Sequence, residues 1–208
     1  VSLDEMMVHF KGRNPHHCYV PGKPHPNGTK LHAICDARYF FCVAFEVSTK
    51  TPTTILAIAR RLFRGNVVTG MTVVTDRYYT CTQLVRLCLS LSVGFIGNTM
   101  GLRFLAKHCL TGWSKEEAKE RPRGDFDVPT NEEGSVCCVI WKDKGMVRLT
   151  ITAESTARCY LTRRASGMPS FLVCAPRAVE VFDQYFHGVD RNDQLRGVCY
   201  GLVPSFRA

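Results

Sequence analysis

Residues 72–96, TVVTDRYYTCTQLVRLCLSLSVGFI, decide the fold class of this 208-residue chain. The β-branched run 72–75 predicts a strand that stops at Asp76. The apolar positions that follow recur at helical spacing, which predicts a helix. These positions are Leu84, Val85, Leu87, Cys88 and Leu91. Residues 93–96 predict another strand. A strand, a helix and a strand in succession indicate a mixed α/β domain.

The residues before this stretch add three strands and a helix. Residues 1–10 predict a short strand. The apolar runs 31–35 and 39–47 predict an antiparallel hairpin, because a turn-like break separates them. The Thr-Thr pair at 53–54 is placed to cap a helix that ends before Gly65. The predicted order through the quoted stretch is therefore β-β-β-α-β-α-β.

The second half of the chain is predicted to contain a hairpin and a helix. Residues 115–133 are polar and indicate a surface excursion. Two apolar runs within 135–152 flank a glycine-containing turn and predict a β-hairpin. Residues 155–177 indicate an irregular basic segment. A helix is predicted over 178–195, although Gly188 weakens that pattern.

The chain is strongly basic. Its 27 Lys and Arg residues against 18 Asp and Glu residues give a formal net charge of +9 and a pI near 9.1. Such a charge favours a polyanionic partner, with nucleic acid first and an anionic membrane second. The acids are also unevenly placed, because Asp76 is the only carboxylate between Glu46 and Glu116. Asp76 is therefore a candidate for a specific role.

Composition excludes several classes of protein. The 45% hydrophobic and 22% charged fractions are those of a globular chain. The longest uncharged apolar run, residues 87–102, is shorter than the roughly 20 residues of a spanning helix, so no membrane span is predicted. The N-terminus lacks the pattern of a signal peptide, and Val1 in place of Met indicates a cut inside a longer chain. The 11 cysteines are odd in number and lack C-x-x-C spacing. They indicate reduced, mostly buried thiols of an intracellular protein.

Three placements of carboxylates point to metal chemistry. Asp4 lies inside the first predicted strand, where a buried charge is costly unless it is paired or binds a metal. Asp76 ends a strand, at the edge where sites in α/β sheets open. Asp190 and Asp193 have the i, i+3 spacing that puts two side chains on one face of a helix. Such acids suit a two-metal phosphoryl-transfer site for Mg²⁺ or Mn²⁺. Capping and turn residues have the same placements, so the pattern alone leaves both interpretations open.

Local motifs add a family resemblance that spans nearly the whole chain. The opening blocks closely resemble the start of the catalytic domain of piggyBac-like transposases. These blocks are SLDEMM (2–7), FKGR (10–13), YVPGKP (19–24), GTK (28–30) and ICD (34–36). VTDRYYT at 74–80 is similar to the family's second block, and WKDK at 141–144 is similar to its late hairpin. GNT at 97–99 with Arg103 loosely matches its next strand, and GVDRNDQ at 188–194 strongly resembles its closing block. All the blocks stand in family order.

The resemblance implies an α/β, ribonuclease H-like fold in which helices flank a mixed sheet. A β-hairpin-containing insertion would lie between the second and third catalytic acids. The domain organisation implied is a single catalytic domain over residues 1–208, a fragment of a longer chain, with the insertion at about 100–175.

The resemblance also implies a DDE/D active site. Carried over residue by residue, its catalytic acids are Asp4, Asp76, Asp190 and Asp193. The first three would bind Mg²⁺ or Mn²⁺ directly in a two-metal site, and Asp193 would be a supporting acid. The implied activity is DNA cleavage at transposon ends by water, hairpin formation by the freed 3′ hydroxyl, and insertion into target DNA. The implied partners are transposon-end and target DNA and, in the full-length protein, a second copy of the chain. A nuclear location without a membrane partner is also implied.

Two departures keep an alternative open. Arg77 follows the second-block acid, where the family commonly has an amide, and the family's flanking DNA-binding and cysteine-rich zinc regions are expected outside residues 1–208. The alternative is a transposase-derived, catalytically inactive DNA-binding or protein-interaction domain whose acids persist by recent descent.

The candidates for contact with DNA phosphates are Arg77 and the basic residues of the first loop, a turn-rich segment predicted over residues 11–30. These candidates are Lys11, Arg13, Lys23, Lys30 and Arg77. A solvated basic loop is the competing interpretation. Asp36 and Asp143 are predicted to be turn residues, Asp183 a solvated helix residue and Trp141 a core residue.

Overall fold

A computed structural model describes residues 1–9, 12–21, 26–49, 53–99, 112–164 and 166–201. The chain forms two compact units, which are Val1–Val67 with Tyr185–Ala208, and Val68–Gln184. Each unit combines strands and helices, which confirms the predicted α/β class. The assignment of residues 1–208 to one domain stays a prediction. No helix within the described ranges is long and apolar enough to cross a membrane.

The strands in chain order are β1 (Ser2–His9), β2 (His17–Tyr19), β3 (Asn27–Cys35), β4 (Cys42–Val47), β5 (Thr72–Thr75), β6 (Gly94–Asn98), β7 (Phe126–Asp127), β8 (Cys137–Lys142), β9 (Met146–Ile151), β10 (Arg158–Arg163) and β11 (Phe171–Pro176). The helices are α1 (Ile55–Phe63), α2 (Thr82–Ser90), α3 (Lys115–Glu120), α4 (Arg177–Tyr185) and α5 (Gly188–Gly201).

The first unit is built around β3, which pairs antiparallel with β1, β2 and β4. β1 pairs with β3 along its whole length, and Asp4 lies opposite Ala33. The predicted β3–β4 hairpin is confirmed. β3 begins at Asn27, earlier than the apolar run indicated, and β2 was missed because it has only three residues. The first loop is therefore shorter than predicted.

Helix α1 begins where the Thr-Thr pair predicted. The hydroxyl of Thr54 accepts a hydrogen bond from the backbone N–H of Ala57 at 3.2 Å, which satisfies one of the unpaired donors of the first turn. The buried side chains of α1 include Ile58, Leu62 and Phe63. Helical spacing of apolar residues thus gives α1 a buried face and leaves its arginines exposed.

The second unit contains the mixed sheet. β5 and β6 are parallel and joined by α2, whereas β6 pairs antiparallel with β9, β9 with β8 and β8 with β7. The apolar faces of these strands supply fully buried residues such as Phe95, Ile96 and Leu149. The β8–β9 hairpin is the one that the sequence predicted. It lies in the chain between Asp76 and Asp190, as expected of the insertion.

The prediction of an irregular segment over 155–177 is wrong. β10 and β11 form a two-stranded antiparallel sheet, with Leu161 opposite Val173. The sequence concealed this hairpin because several β10 residues are exposed, so β10 lacks a run of apolar side chains. The burial of β10 depends on contacts with residues distant in the sequence, which the pattern of apolar residues within the strand does not show.

The single helix predicted over 178–195 is also wrong, because α4 ends at Tyr185 and α5 begins at Gly188. A further helix, α3, lies within the predicted surface excursion. Its S-x-x-E capping box is complete, since Ser114 and Glu117 each accept a hydrogen bond from the other's backbone N–H.

The cysteines that the structure describes are free thiols. Cys35, Cys88 and Cys138 are buried and the other described cysteines are partly exposed, so the expectation of mostly buried thiols is wrong.

Candidate active site

Asp4 lies on the face of β1 that α5 covers. Side chains alternate along a strand, so Ser2, Asp4 and Met6 share one face. A Cβ built on Gly188 of α5 would lie only 2.3 Å from the Oγ of Ser2. Met6 packs in one buried cluster with Val189 of α5. Contacts on both sides of Asp4 therefore place its partly buried side chain on the α5 face.

Two hydrogen bonds tie α5 to the strands of the first unit. The Nδ2 of Asn192 donates to the backbone oxygen of Phe40 at 2.7 Å. The Nη2 of Arg196 donates to the backbone oxygen of Met7 at 2.7 Å. Because Gly188, Asn192 and Arg196 are four residues apart, they lie on one face of α5. This face is the one that α5 presents to the strands.

The contacts at the two ends of this face fix the direction of α5. Gly188 lies beside Ser2, and Arg196 lies beside Met7. Eight helical steps span about 12 Å, and the strand between the two contacts spans about 17 Å. Helix α5 therefore runs along β1 in the same chain direction and passes the position of Asp4.

The two acids of α5 have different partners. An Oδ2 of Asp190 lies 3.5 Å from the Nδ1 of His187, and the Asp190 side chain is 42% exposed. Asp193 forms an ion pair with Arg196. Since Arg196 also binds the Met7 carbonyl, Asp193 is held by a cation that is itself anchored to β1. Asp190 is the more accessible of the two carboxylates.

Asp76, in the second unit, follows β5 directly and organises the turn into α2. Its Oδ1 accepts hydrogen bonds from the backbone N–H groups of Tyr78 at 2.9 Å and Tyr79 at 3.1 Å. The hydroxyl of Thr80 donates to the backbone oxygen of Asp76 at 2.7 Å. Tyr79 is fully buried, whereas Arg77 is exposed. The turn thus fixes the Asp76 carboxylate at the carboxyl end of a strand.

The same turn occurs at Asp36, directly after β3. The Oδ1 of Asp36 accepts from the backbone N–H groups of Arg38 at 2.8 Å and Tyr39 at 2.7 Å. The prediction that Asp36 is a turn residue is confirmed. Because both aspartates make this turn, the turn alone does not identify a catalytic acid.

Asp143 and Asp183 belong to an ion-pair network in the second unit. Asp143 accepts from the Nε of Arg123 at 2.7 Å and from the Nε of Arg163 at 3.2 Å. Arg163 also donates to Asp183 at 2.8 Å and lies over the ring of Trp141, 5.4 Å from its centroid. Asp183 is an exposed residue of α4, as predicted, and it also forms an ion pair with Arg163. Trp141 is buried, as predicted.

The structure places three of the predicted acids in the first unit and one in the second. Asp4, Asp190 and Asp193 lie on β1 and on the helix that runs along it, whereas Asp76 belongs to the other unit. Carboxylate oxygens are the donors that Mg²⁺ and Mn²⁺ prefer, so the donor chemistry fits these ions. Within the described ranges, no three His, Cys, Asp or Glu side chains are grouped to hold a metal ion.

The predicted phosphate contacts have mixed surroundings. Lys11 and Lys23 lie outside the described residues. Arg13 is exposed. Lys30 lies in β3, not in a loop, and forms an ion pair with Glu5 of β1. Its charge is already matched by a carboxylate, so Arg13 is the better placed of these two residues for an anionic ligand.

Comparison with known proteins decides the family. A family model described as "Transposase IS4" matches residues 1–200. The chain belongs to this transposase family. No curated protein matches the chain.

A solved structure shows the same fold as this transposase family member. It is the cryo-EM structure of a piggyBac transposase synaptic complex with hairpin DNA, and its TM-score to this chain is 0.71. Sequence identity is 22%, and the match covers 95% of this chain. The chain spans 40% of the length of that transposase. The predicted resemblance to piggyBac-like transposases and the ribonuclease H-like fold that it implied are confirmed.

Sequence reasoning missed the two residues that anchor the late helix of this transposase. Asn192 and Arg196 follow Gly188 at intervals of four residues, and that spacing was the available signal. The single predicted helix over 178–195 concealed it. Their partners, the carbonyls of Phe40 and Met7, are backbone atoms that no side-chain pattern identifies.

Proposed function

We propose that this chain is the catalytic core of a DDE/D transposase that performs metal-dependent phosphoryl transfer at transposon ends. The steps are strand cleavage, hairpin formation and strand transfer. Asp4, Asp76 and Asp190 would hold two Mg²⁺ or Mn²⁺ ions, whose chemistry would be activation of the attacking oxygen and stabilisation of the leaving one. The observation that carries the proposal is the course of α5 along the face of β1 that bears Asp4. The closing block is thereby brought to the first block.

The proposed direct ligands are Asp4, Asp76 and Asp190, with Asp193 as a supporting acid. The environments of the α5 acids support this division. Asp190 has a long contact with His187, which a metal ion replaces at small cost because the pair is solvated. Asp193 is held by Arg196. If a metal ion replaced Arg196 as the partner of Asp193, the hydrogen bond from Arg196 to the Met7 carbonyl of β1 would also be disturbed. Asp193 therefore fits a role in holding α5 and its neighbouring acid.

The Asp76 turn supports the second ligand position. Two backbone N–H groups bind one oxygen of Asp76, so its carboxylate is oriented before any ligand arrives. Preorganised charge costs little reorganisation when the reaction occurs. The side chain of Tyr79 is buried, which also holds this turn in place. The exposed Arg77 is then available to a DNA phosphate.

DNA is the proposed partner, and the net charge of +9 supports it. The proposed phosphate contacts are Lys11, Arg13, Lys23, Lys30 and Arg77. The piggyBac transposase of the matched structure is bound to hairpin DNA. We extend the proposal to a homodimer of the full-length protein that acts in the nucleus.

A second candidate function is an inactive transposase-derived domain that binds DNA or proteins. Two observations favour it. Arg77 follows Asp76 directly in the chain, where the family commonly has an amide. Both acids of α5 are also engaged by cationic partners or a histidine. Catalysis requires a metal to compete with these contacts.

Nicking of transposon-end DNA by the full-length protein separates the two functions. We expect Mg²⁺- or Mn²⁺-dependent nicking, and we expect Asp76→Asn and Asp190→Asn to lower its rate by about 100-fold or more. Asp193→Asn is expected to lower it by about 10- to 100-fold, as removal of an outer partner does. Asp36→Asn is the matched control, because Asp36 makes the same turn after a strand and is expected to leave nicking unchanged.

Each outcome has one interpretation. Equal nicking by the wild type and Asp76→Asn contradicts the site assignment. DNA binding without nicking in either metal supports the inactive domain. Binding that weakens steeply with salt supports phosphate contact in both cases.

A further inference from the structure

Two thiols face each other at the end of the β3–β4 hairpin. Cys35 is the Cα partner of Cys42, next to the turn that links the two strands. The following pair is hydrogen-bonded, because the N–H of Asp36 donates to the oxygen of Phe41 at 2.9 Å. Hydrogen-bonded and non-hydrogen-bonded pairs alternate in antiparallel strands, so Cys35 and Cys42 form a non-hydrogen-bonded pair.

This pairing has the dimensions of a disulfide. Cα atoms of a non-hydrogen-bonded pair are about 4.5 Å apart and their side chains are close. Disulfides join Cα atoms about 4.4 to 6.8 Å apart. The irregularity in this hairpin falls between Ile34 and Cys35, on the side away from the turn. Bridging Cys35 and Cys42 therefore requires little movement of the backbone.

The two thiols also differ in reactivity. A hydrogen bond from Cys35 lowers the pKa of Cys42 to about 7, against an opposing effect of burial and with help from the nearby Arg196. The same hydrogen bond raises the pKa of Cys35. Cys42 is partly exposed, whereas Cys35 is buried. A reachable thiolate therefore lies beside a protected thiol, the arrangement of an attacking cysteine and a resolving cysteine.

We propose that Cys35 and Cys42 are a redox modification site that hydrogen peroxide converts into a disulfide. The Cys42 sulfur attacks one oxygen of the peroxide, the O–O bond breaks and water leaves, which gives a sulfenic acid. The Cys35 sulfur then attacks the Cys42 sulfur, the S–O bond breaks and a second water leaves with the Cys35 proton. Two thiols lose two electrons in total, and the peroxide is reduced to two waters.

The disulfide would close the turn on which α5 is anchored. Phe40, inside this turn, accepts the hydrogen bond of Asn192. Cys35 itself packs against Val189 in the buried cluster. Oxidation therefore fixes the chain on both sides of one α5 anchor, and reduction by a dithiol releases it.

Peptide mapping of the full-length protein after treatment with hydrogen peroxide tests the site. Trypsin cleaves after Arg38, between the two cysteines. Peptides 31–38 and 39–50 each contain one cysteine and remain joined only by the disulfide. We expect a joined peptide whose mass is lower by two hydrogen atoms than the sum of its parts, and we expect a dithiol to separate it.

Variants test the order of the steps. In Cys35→Ala we expect Cys42 to stop at the sulfenic acid, which a 1,3-diketone probe captures. In Cys42→Ser we expect Cys35 to stay unmodified, because it is buried.

The β10–β11 hairpin provides the internal control. Cys159 faces Ala175 and Cys174 faces Tyr160, so these two thiols are on adjacent strands but offset by one residue. They point to opposite faces and are expected not to join. Over-oxidation of Cys42 without a joined peptide, or equal joining of Cys159 to Cys174, overturns the proposal.

Discussion

Gly188→Ala tests whether the close approach of α5 to β1 sets the position of the late helix. The new Cβ would lie 2.3 Å from the Oγ of Ser2 and 3.2 Å from the Cα of Ala37. The shorter contact is about 1 Å inside an ordinary van der Waals separation. Ser2 is fully buried, and rotation of its hydroxyl still leaves its Cβ 3.2 Å from the new methyl group. Either α5 or its neighbours Ser2 and Ala37 must therefore give way by a few tenths of an ångström.

Two opposing terms determine the size of the effect. Alanine gains up to about 1 kcal/mol over glycine from helix propensity. Overpacking of a filled site costs about 1 to 3 kcal/mol. The steric term is the larger, so we expect a net loss of about 1 to 2 kcal/mol in the free energy of unfolding. A displacement of α5 that moves Asp190 is also expected to lower the proposed nicking activity, by up to about 100-fold.

Ser2→Ala supplies the control for this substitution. The Ser2 hydroxyl is buried without a hydrogen-bond partner in the described part of the chain. Its removal is expected to be neutral or to stabilise by up to about 1 kcal/mol. In the Ser2→Ala background, Gly188→Ala loses its closest contact, so we expect a coupling of about 1 kcal/mol between the two sites.

Urea unfolding of the four proteins in this cycle measures the coupling, provided that their m-values agree. Additive effects of the two substitutions would refute the contact. A Gly188→Ala variant as stable as the wild type would show that α5 is not held against Ser2.

Two further predictions concern buried charge. Burial, followed by the nearby charge of Lys30, lowers the pKa of His32 in the folded protein. As the pH decreases below about 6.5, the unfolded state therefore takes up the proton first, and the free energy of unfolding decreases. We expect His32→Gln to remove this contribution to the pH dependence of stability. Urea midpoints that change equally with pH in the wild type and in His32→Gln would contradict the prediction. Asp143→Asn is expected to cost about 1.5 to 3 kcal/mol, because Asp143 accepts from two arginines. Asp183 is more exposed and binds Arg163, so we expect Asp183→Asn to lower the free energy of unfolding by less than about 1 kcal/mol. Equal decreases in melting temperature for Asp143→Asn and Asp183→Asn would contradict the network.

Much of the fold could be predicted from the sequence because its signals are local. The strand before Asp76, the helix capped by Thr54 and the β8–β9 hairpin each depend on residues within one element or turn. Strand β10 could not be predicted, because exposed polar residues interrupt its apolar side chains, whereas the apolar run at 171–175 was an available signal for β11. The break before Gly188 could not be predicted, because a glycine is compatible both with the interior of a helix and with its first residue.

The sequence by itself determined the family, the strand–helix–strand order over residues 72–96, and the four acids that stand in the family's motifs. The tertiary structure decided which face of β1 carries Asp4, that α5 runs along that face, and that Lys30 already has a carboxylate partner. The physical reason is the separation along the chain between the residues whose interaction determines each feature. Caps and periodicity act within a few residues, whereas the bond from Arg196 to Met7 joins positions 189 residues apart. Only folding brings such positions together.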